Sequence, residues 1–302
     1  MSFERVAIIG LGLLGGSIGL AAAEHLPGVV TTGYDADPAV RRRARERGLA
    51  ATICETAGEA VADADLAILC VPVGAMGQAA REIAEALPAA ALVSDVGSSK
   101  RSIARALAET LPGQAVIPAH PVAGTEHSGP DAGFAALFHH RWCILTPPAD
   151  ADPALVASLA EFWRALGATV EVMDAEHHDL VLAVTSHIPH LIAYTIVGTA
   201  SDLEEVTRGE VIKYSAGGFR DFTRIAASDP IMWRDVFLNN RDAVLEMLDR
   251  FLTDLKGVRE AIEAGDGDAL FDLFTRTRAI RRGIIELGQD DARPDFGRAD
   301  HG

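Results

Sequence analysis

The spacing of hydrophobic positions changes character once along the chain, near residue 173. Before that point, short runs at Val6–Ile9, Val29–Tyr34, Leu66–Val71, Leu92–Asp95, Val116–Pro118, Trp142–Leu145 and Thr169–Met173 read as strands. Between them, apolar residues three and four apart predict helices from Leu13 to Leu26, Pro38 to Arg47, Met76 to Leu87, Lys100 to Leu111 and Asp152 to Leu166. Strands alternating with helices build a parallel sheet covered on both faces. From Asp174 the strand signals cease and the chain reads helical almost to Leu287. Asp229-Pro230 is a strong helix start, with Asp as N-cap and Pro at the first helical position. Trp233, Phe237, Val244, Leu248, Phe251, Leu255 and Val258 then form one apolar stripe, and Leu270, Phe274, Ile280, Ile284 and Leu287 form another. With no sheet to cover, these stripes predict burial against a second copy of the chain, hence a homodimer. The polar stretch from Gln289 onward reads as a frayed tail. The expected domains are therefore residues 1–173 and 174–302.

The first strand and helix meet at Gly10-Leu11-Gly12-Leu13-Leu14-Gly15, a G-x-G-x-x-G turn. Such a turn aims backbone N–H groups at a pyrophosphate at the positive end of the helix. Gly10 permits the sharp bend, Gly12 the approach of phosphate to backbone, and Gly15 the close packing of helix on strand. The second strand ends in Asp35, about 20 residues on, where a carboxylate accepts from a ribose 2′-hydroxyl and repels a 2′-phosphate. The N-terminal half thus reads as a Rossmann-type dinucleotide-binding domain for NAD. Arg41, Arg42 and Arg43 lie near enough to leave NADP as the lesser alternative. The expected cofactor contacts are Gly10, Gly12, Leu13, Leu14, Gly15, Asp35, Val71 and Ser98, the last two at the carboxyl ends of later strands.

Composition narrows the partners. The formal charge of −16 excludes nucleic acid and anionic membrane surfaces, so an anionic substrate requires a locally basic site. Cys54, Cys70 and Cys143 show no C-x-x-C spacing and read as buried thiols of a reducing cytoplasm. The apolar N-terminus is not a secretory signal: Glu4 offsets Arg5, and glycines from Gly10 to Gly33 interrupt the hydrophobic run. No uninterrupted apolar run reaches a bilayer's thickness, since Leu180–Val197 contains Ser186, His187, Pro189 and His190.

Three groups of residues could carry chemistry. His120 follows an apolar strand in a loop of small residues, where an imidazole can accept a proton near neutral pH. Ser98, after a neighbouring strand, can orient that imidazole or a substrate hydroxyl. Gly10, Asp35, Ser98 and His120 all read as loop residues along one edge of the sheet. Ser186 and His190 share one helix face, with Pro189 expected to kink the helix between them. No acid or cysteine completes a metal site there, so no metal is expected. Arg220 and Arg224, beside Gly217-Gly218, suit a substrate carboxylate, although arginines on a solvent-exposed loop would look the same.

Together these segments resemble the prephenate dehydrogenase family, which includes arogenate and cyclohexadienyl dehydrogenases. The resemblance runs through Gly10–Ser17, Asp95–Lys100, His120–Gly129, Ser186–His190 and Gly217–Asp235, and spans residues 5 to about 288. It implies NAD-dependent oxidative decarboxylation of prephenate, a small dicarboxylate, with arogenate as the alternative substrate. It also implies His120 as the catalytic histidine, Ser98 as its hydrogen-bond partner, and Arg224 as the carboxylate ligand. Ser186, His190, Thr125, Glu126, Asp221 and Trp233 match residues around the substrate pocket. Family members can carry a regulatory domain or a fused mutase; neither is expected here, so any tyrosine inhibition is expected at or near the active site. Two other readings predict different chemistry. A β-hydroxyacid dehydrogenase or imine reductase would place a lysine or acid on the first long helix after the sheet. A non-catalytic NAD-sensing module would bind nucleotide without turnover.

Overall fold

The computed structural model describes residues 3–125, 127–202 and 217–286. Glu126, Leu287 and the polar tail lie outside the described residues. The chain forms two compact units, 1–247 and 248–302.

In the first unit, β1 (Arg5–Ile9), β2 (Val30–Tyr34), β3 (Thr52–Ile53), β4 (Leu66–Leu69), β5 (Leu92–Asp95) and β6 (Ala115–Val116) form a parallel sheet of order β3-β2-β1-β4-β5-β6. Alternation along β1 sends Val6 and Ile8 to one face and Ala7 and Ile9 to the other, all essentially inaccessible. Helices α1 (Leu13–His25) and α2 (Pro38–Arg47) cover the first face. The second is covered by α3 (Ala57–Val61), α4 (Met76–Ile83) and α5 (Lys100–Thr110). A sheet buried on both sides needs near-continuous apolar strands, which is how β1 and β4 read. The two-residue β3 and one-turn α3 are too short to leave a periodic signal.

The expected strand at Val116–Pro118 is resolved differently. The chain leaves the parallel sheet after Val116 and begins a second, three-stranded sheet with β7 (Ala119–Pro121), β8 (Trp142–Leu145) and β9 (Thr169–Val172). Strand β7 runs antiparallel to β8, and β9 is parallel to β8, with α6 (Pro153–Ala165) as the crossover. His120 is therefore a strand residue of this second sheet, paired opposite Ile144, and not a loop residue on the edge of the first. Proline at 118 cannot donate to a ladder, which is where the two sheets part.

Beyond β9 the unit is helical: α7 (Ala175–Leu182), a π-helical turn at Ala183–His187, and α8 (Ile188–Ser201). The π turn precedes Pro189, which sits in the first turn of α8, so the expected irregularity takes this form. By length and composition the run Ala175–Ser201 is apolar enough to cross a bilayer, with a mean hydropathy of 1.6, contrary to the sequence expectation. Counting single polar residues as interruptions understated the apolar residues around them. In the fold, His178, Asp179 and His187 of this run are buried and bonded within the first unit, while Val184, Ile196 and Val197 of the same run are exposed.

Helix α9 (Gly217–Thr223) leads through a 3-10 turn at Arg224–Ala227 to α10 (Pro230–Asn239), capped by Asp229 accepting from the Met232 N–H at 2.8 Å. The single stripe expected from Trp233 to Val258 is broken at Asn240, where α11 (Arg241–Ala264) begins. Asn240 is buried, its side chain bonded to the Asp179 carbonyl and to His187. The second unit holds the end of α11 and α12 (Gly267–Glu286).

Candidate active site

The glycine turn is shaped for a dinucleotide. Gly10 has φ +101°, and a Cβ there would lie 2.5 Å from the Cys70 carbonyl oxygen. At Gly15, a Cβ would lie 1.9 Å from the carbonyl oxygen of Gly10, so strand and helix can approach only if this residue is glycine. Helix α1 begins at Leu13 and Leu14 with Gly12 as N-cap, no side-chain cap and no acid in the first turn. Its first N–H groups are left for an anion. Asp35 is held at this turn: one oxygen accepts from the Leu11 N–H at 2.9 Å and the other from the Asp37 N–H at 3.0 Å. Val71, half-buried after β4, packs against Gly10. Two of the three nearby arginines are engaged: Arg41 donates to the Asp35 carbonyl at 2.8 Å and pairs with Glu55, while Arg43 pairs with Glu46 and Asp131. These residues fit NAD, and they leave neither of those guanidiniums unpaired for a 2′-phosphate.

His120 and the Ser98 turn are joined through a buried ion pair. Lys100, the first residue of α5, donates from Nζ to Asp95 at 2.5 Å and to the Ala119 carbonyl at 2.6 Å. Asp95 at the end of β5 also accepts from the N–H of Gly97 at 2.7 Å and of Ala119 at 3.2 Å. The turn bearing half-buried Ser98 is thus fixed to the strand bearing His120. Burial opposes both charges, pushing the Lys100 ammonium down and the Asp95 carboxyl up from their ordinary values.

The His120 ring is 8% exposed, and its Nδ1 lies 2.8 Å from Nε2 of His178. His178 in turn places Nδ1 2.9 Å from Asp179, whose carboxylate also accepts the N–H groups of Lys100 at 2.7 Å and Arg101 at 3.0 Å. Among the described residues no hydrogen bond reaches Nε2 of His120. Burial, reinforced by His178, Lys100 and His187, holds the His120 imidazole well below its usual pKa and therefore neutral around pH 7. His178 and Asp179 were not singled out from the sequence. Their only signal there is a polar pair, His-Asp, directly before the apolar Leu180–Ala183.

The cluster continues along the π turn and α8. His187, fully buried, accepts at Nδ1 from Asn240 at 3.1 Å and lies 6.1 Å, ring to ring, from Trp233. Burial pushes His187 down to about 4. Its Nε2 and the Trp233 Nε1 are buried without a protein partner among the described residues. Both are N–H donors, because His187 Nδ1 is the acceptor. His190 stacks on Trp233 at 3.6 Å and donates from Nδ1 to the Ser186 carbonyl at 2.8 Å. Arg224 is exposed and close enough to His190 for its charge to lower the imidazole's pKa, after burial itself. Hydrogen bonds and ring contacts thus link His120 through His178, Asp179 and Asn240 to His187, Trp233 and His190, and the Arg224 charge acts on His190.

Thr125 is exposed, its hydroxyl accepting from the His127 N–H at 3.2 Å. Asp221 is exposed on α9, 3.9 Å from Arg220. Ser186 contributes its carbonyl to His190, and Glu126 lies outside the described residues. Among the described residues no cluster of three metal-ligating side chains forms.

Residues 18–172 match the family model described as prephenate dehydrogenase, nucleotide-binding domain, and residues 174–276 match prephenate dehydrogenase, dimerization domain. The chain is 45% identical to cyclohexadienyl dehydrogenase of Zymomonas mobilis over 279 residues, covering 92% of this chain and 95% of that one. It is 32% identical to prephenate dehydrogenase of Bacillus subtilis over 295 residues, covering 97% and 79%. The fold matches the crystal structure of prephenate dehydrogenase from Aquifex aeolicus in complex with hydroxyphenyl propionate and NAD+, with a TM-score of 0.88 and 31% identity over 94% of this chain and 99% of that one.

Proposed function

The chain belongs to the prephenate dehydrogenase family, and we propose that it carries out the NAD-dependent oxidative decarboxylation of prephenate to 4-hydroxyphenylpyruvate. The observation that supports this most directly is the buried His120 imidazole, bonded at Nδ1 to His178, with no described group bonding Nε2, on a strand that the Lys100–Asp95 pair ties to the Ser98 turn. His120 takes the proton of the ring hydroxyl while Ser98 orients that hydroxyl or the imidazole. NAD⁺, when bound, supplies the acceptor for the hydride leaving the hydroxyl-bearing ring carbon. The ring carboxylate then leaves as CO₂, and its bonding electrons complete an aromatic ring. Asp35 holds the adenosine ribose, and Gly10, Gly12, Leu13, Leu14, Gly15 and Val71 surround the rest of the cofactor. Arg224 holds a substrate carboxylate, with His190, Ser186, Thr125, Glu126, Asp221 and Trp233 around the pocket. The buried donors of His187 and Trp233 suit the same anionic substrate. A charge-assisted contact of this kind contributes about 1.5–3 kcal/mol.

A second substrate, arogenate, is favoured by the 45% identity to an enzyme named for cyclohexadienyl substrates in general. Here the product would be tyrosine. Nicotinamide reduction followed by absorbance, with prephenate or arogenate and NAD⁺ or NADP⁺, tests both readings. Turnover is expected with prephenate and NAD⁺, and the ratio of kcat/KM values ranks arogenate against it. Binding of NAD⁺ with no turnover of either substrate would return the chain to a sensing role. His120→Asn is expected to lower kcat by about 10²–10⁴-fold; a loss of only a few-fold would remove His120 as the base. The domain boundary at 173/174 and a homodimer assembled through the helices belong to the same proposal.

A further inference from the structure

We propose that Asp179 and His178 are positioning residues that fix the tautomer of His120, leaving its Nε2 as the unprotonated, proton-accepting nitrogen. The inference deepens the reading of His120 as base and rests on it. The argument starts at the end of the chain of hydrogen bonds. An ionised carboxylate has no proton to give, so the 2.9 Å contact between Asp179 and His178 requires the proton on His178 Nδ1. Asp179 sits at the start of α5, where its two oxygens receive the N–H groups of Lys100 and Arg101, a setting suited to negative charge. His178 is fully buried, and its burial favours the neutral ring, so with Nδ1 protonated its Nε2 carries a lone pair. That lone pair lies 2.8 Å from His120 Nδ1, which must then be the donor. A neutral His120 with its proton on Nδ1 has its lone pair on Nε2, the nitrogen to which no described protein group bonds.

The reverse arrangement is disfavoured at both contacts. A proton on His178 Nε2 would leave its Nδ1 lone pair facing the Asp179 carboxylate. It would also force His120 to accept at Nδ1 and present an N–H at Nε2, which cannot take up a proton. One carboxylate, two bonds away, therefore decides whether the site holds a base, the same logic by which an aspartate orients a catalytic imidazole elsewhere. The other charged groups facing this pair do not supply an alternative acceptor. Lys100 Nζ is directed to Asp95 and the Ala119 carbonyl, Asp95 accepts from Lys100 and from the N–H groups of Gly97 and Ala119, and His187 is bonded to Asn240.

The test replaces His178 by Phe and by Gln. Phe fills the ring's space but accepts nothing, whereas Gln supplies a carbonyl that can accept from His120 Nδ1. A tautomer-fixing role predicts that His178→Phe lowers kcat by about 10²–10³-fold, with the NAD⁺ dissociation constant changed by less than about threefold, and that His178→Gln recovers at least about tenfold of that loss. A packing role predicts the opposite order, with Phe better than Gln, and that result would overturn the proposal. Nitrogen-15 spectra of the histidine-labelled wild-type protein, assigned with the His120→Asn variant, read the tautomer without turnover. A proton on Nδ1 and none on Nε2 is expected, and a proton found on Nε2 near pH 7 would overturn the proposal. Should His120→Asn retain activity while the spectra show the expected tautomer, the failure would lie with the base assignment and not with the relay.

Discussion

The parallel sheet of the first unit and the helices of the second are built from the same kinds of residue, yet among the described residues the sheet is covered on both faces while large apolar side chains of the helices stay exposed. Val6, Ile8, Leu66, Ile68 and Leu92 are completely buried between helices of the same unit. In the second unit, Phe271 is 70% exposed, Ile262 63% and Ile280 61%. Each of these large apolar side chains would gain about 1.5–3 kcal/mol on full burial. The sheet shows what a self-sufficient core looks like, and the helices show half of one. In the proposed homodimer, a second copy of this helical surface covers these side chains.

The sharpest way to break the contrast is to charge the uncovered face. Phe271→Glu together with Phe274→Glu removes two apolar side chains per chain, four per pair, a weakening of about 6 kcal/mol or more. Sedimentation should show monomer at micromolar concentration, while NAD⁺ binding by the first unit persists. An unchanged dimer would move the interface elsewhere. On the sheet side, Gly15→Val places its Cβ 1.9 Å from the Gly10 carbonyl. A destabilisation of about 3–5 kcal/mol, or roughly 10 °C in Tm, and loss of NAD⁺ binding are expected by scanning calorimetry and titration.

Acid should separate the two units. A histidine whose folded pKa lies below its unfolded value binds fewer protons when folded, so its burial costs nothing above pH 6.5 and progressively more below it. His187, held at about 4, therefore removes roughly 3 kcal/mol of stability as pH falls from 6.5 to 4, with His120, His178 and His190 adding in the same direction. Residues 248–286 contain no histidine. Thermal melts between pH 7 and 4.5 should show the first unit losing stability, with His187→Asn flattening part of the slope; an unchanged slope would mean that His187 is protonated in the folded protein. The smallest effect expected is for Trp233→Leu, which removes the stack on His190, about 0.5–1.5 kcal/mol. It should appear as a severalfold rise in KM for prephenate with NAD⁺ binding unchanged, and a KM held constant would place Trp233 outside the substrate pocket.

Local rules carried the sequence reading a long way. Gly10, Gly15 and Asp35 were legible because a phosphate-binding turn needs those residue types at that spacing, and Asp229-Pro230 because a helix N-terminus leaves donors that Asp can accept. The roles read from family resemblance for His120, Ser98 and Arg224 concern segments that the fold links through a chain of neighbours. What stayed hidden was decided by contacts far apart in sequence. His120 moved from a loop to a strand because β8, over 20 residues on, supplies its ladder. The apolar stripe after Trp233 stopped at Asn240 because that side chain bonds Asp179 and His187 of an earlier helix.

From sequence alone came much of what depends on neighbours a few residues away: the longer strands and helices, the Asp229 cap, the glycine turn and its acid. The tertiary structure alone decided which histidine faces which. A hydrogen bond such as that between His120 and His178 spans 58 positions, and no local pattern encodes a donor and acceptor that meet only after two sheets and a helix have packed. Proton placement in this site is a property of that packing, because a neutral imidazole takes its tautomer from its partner.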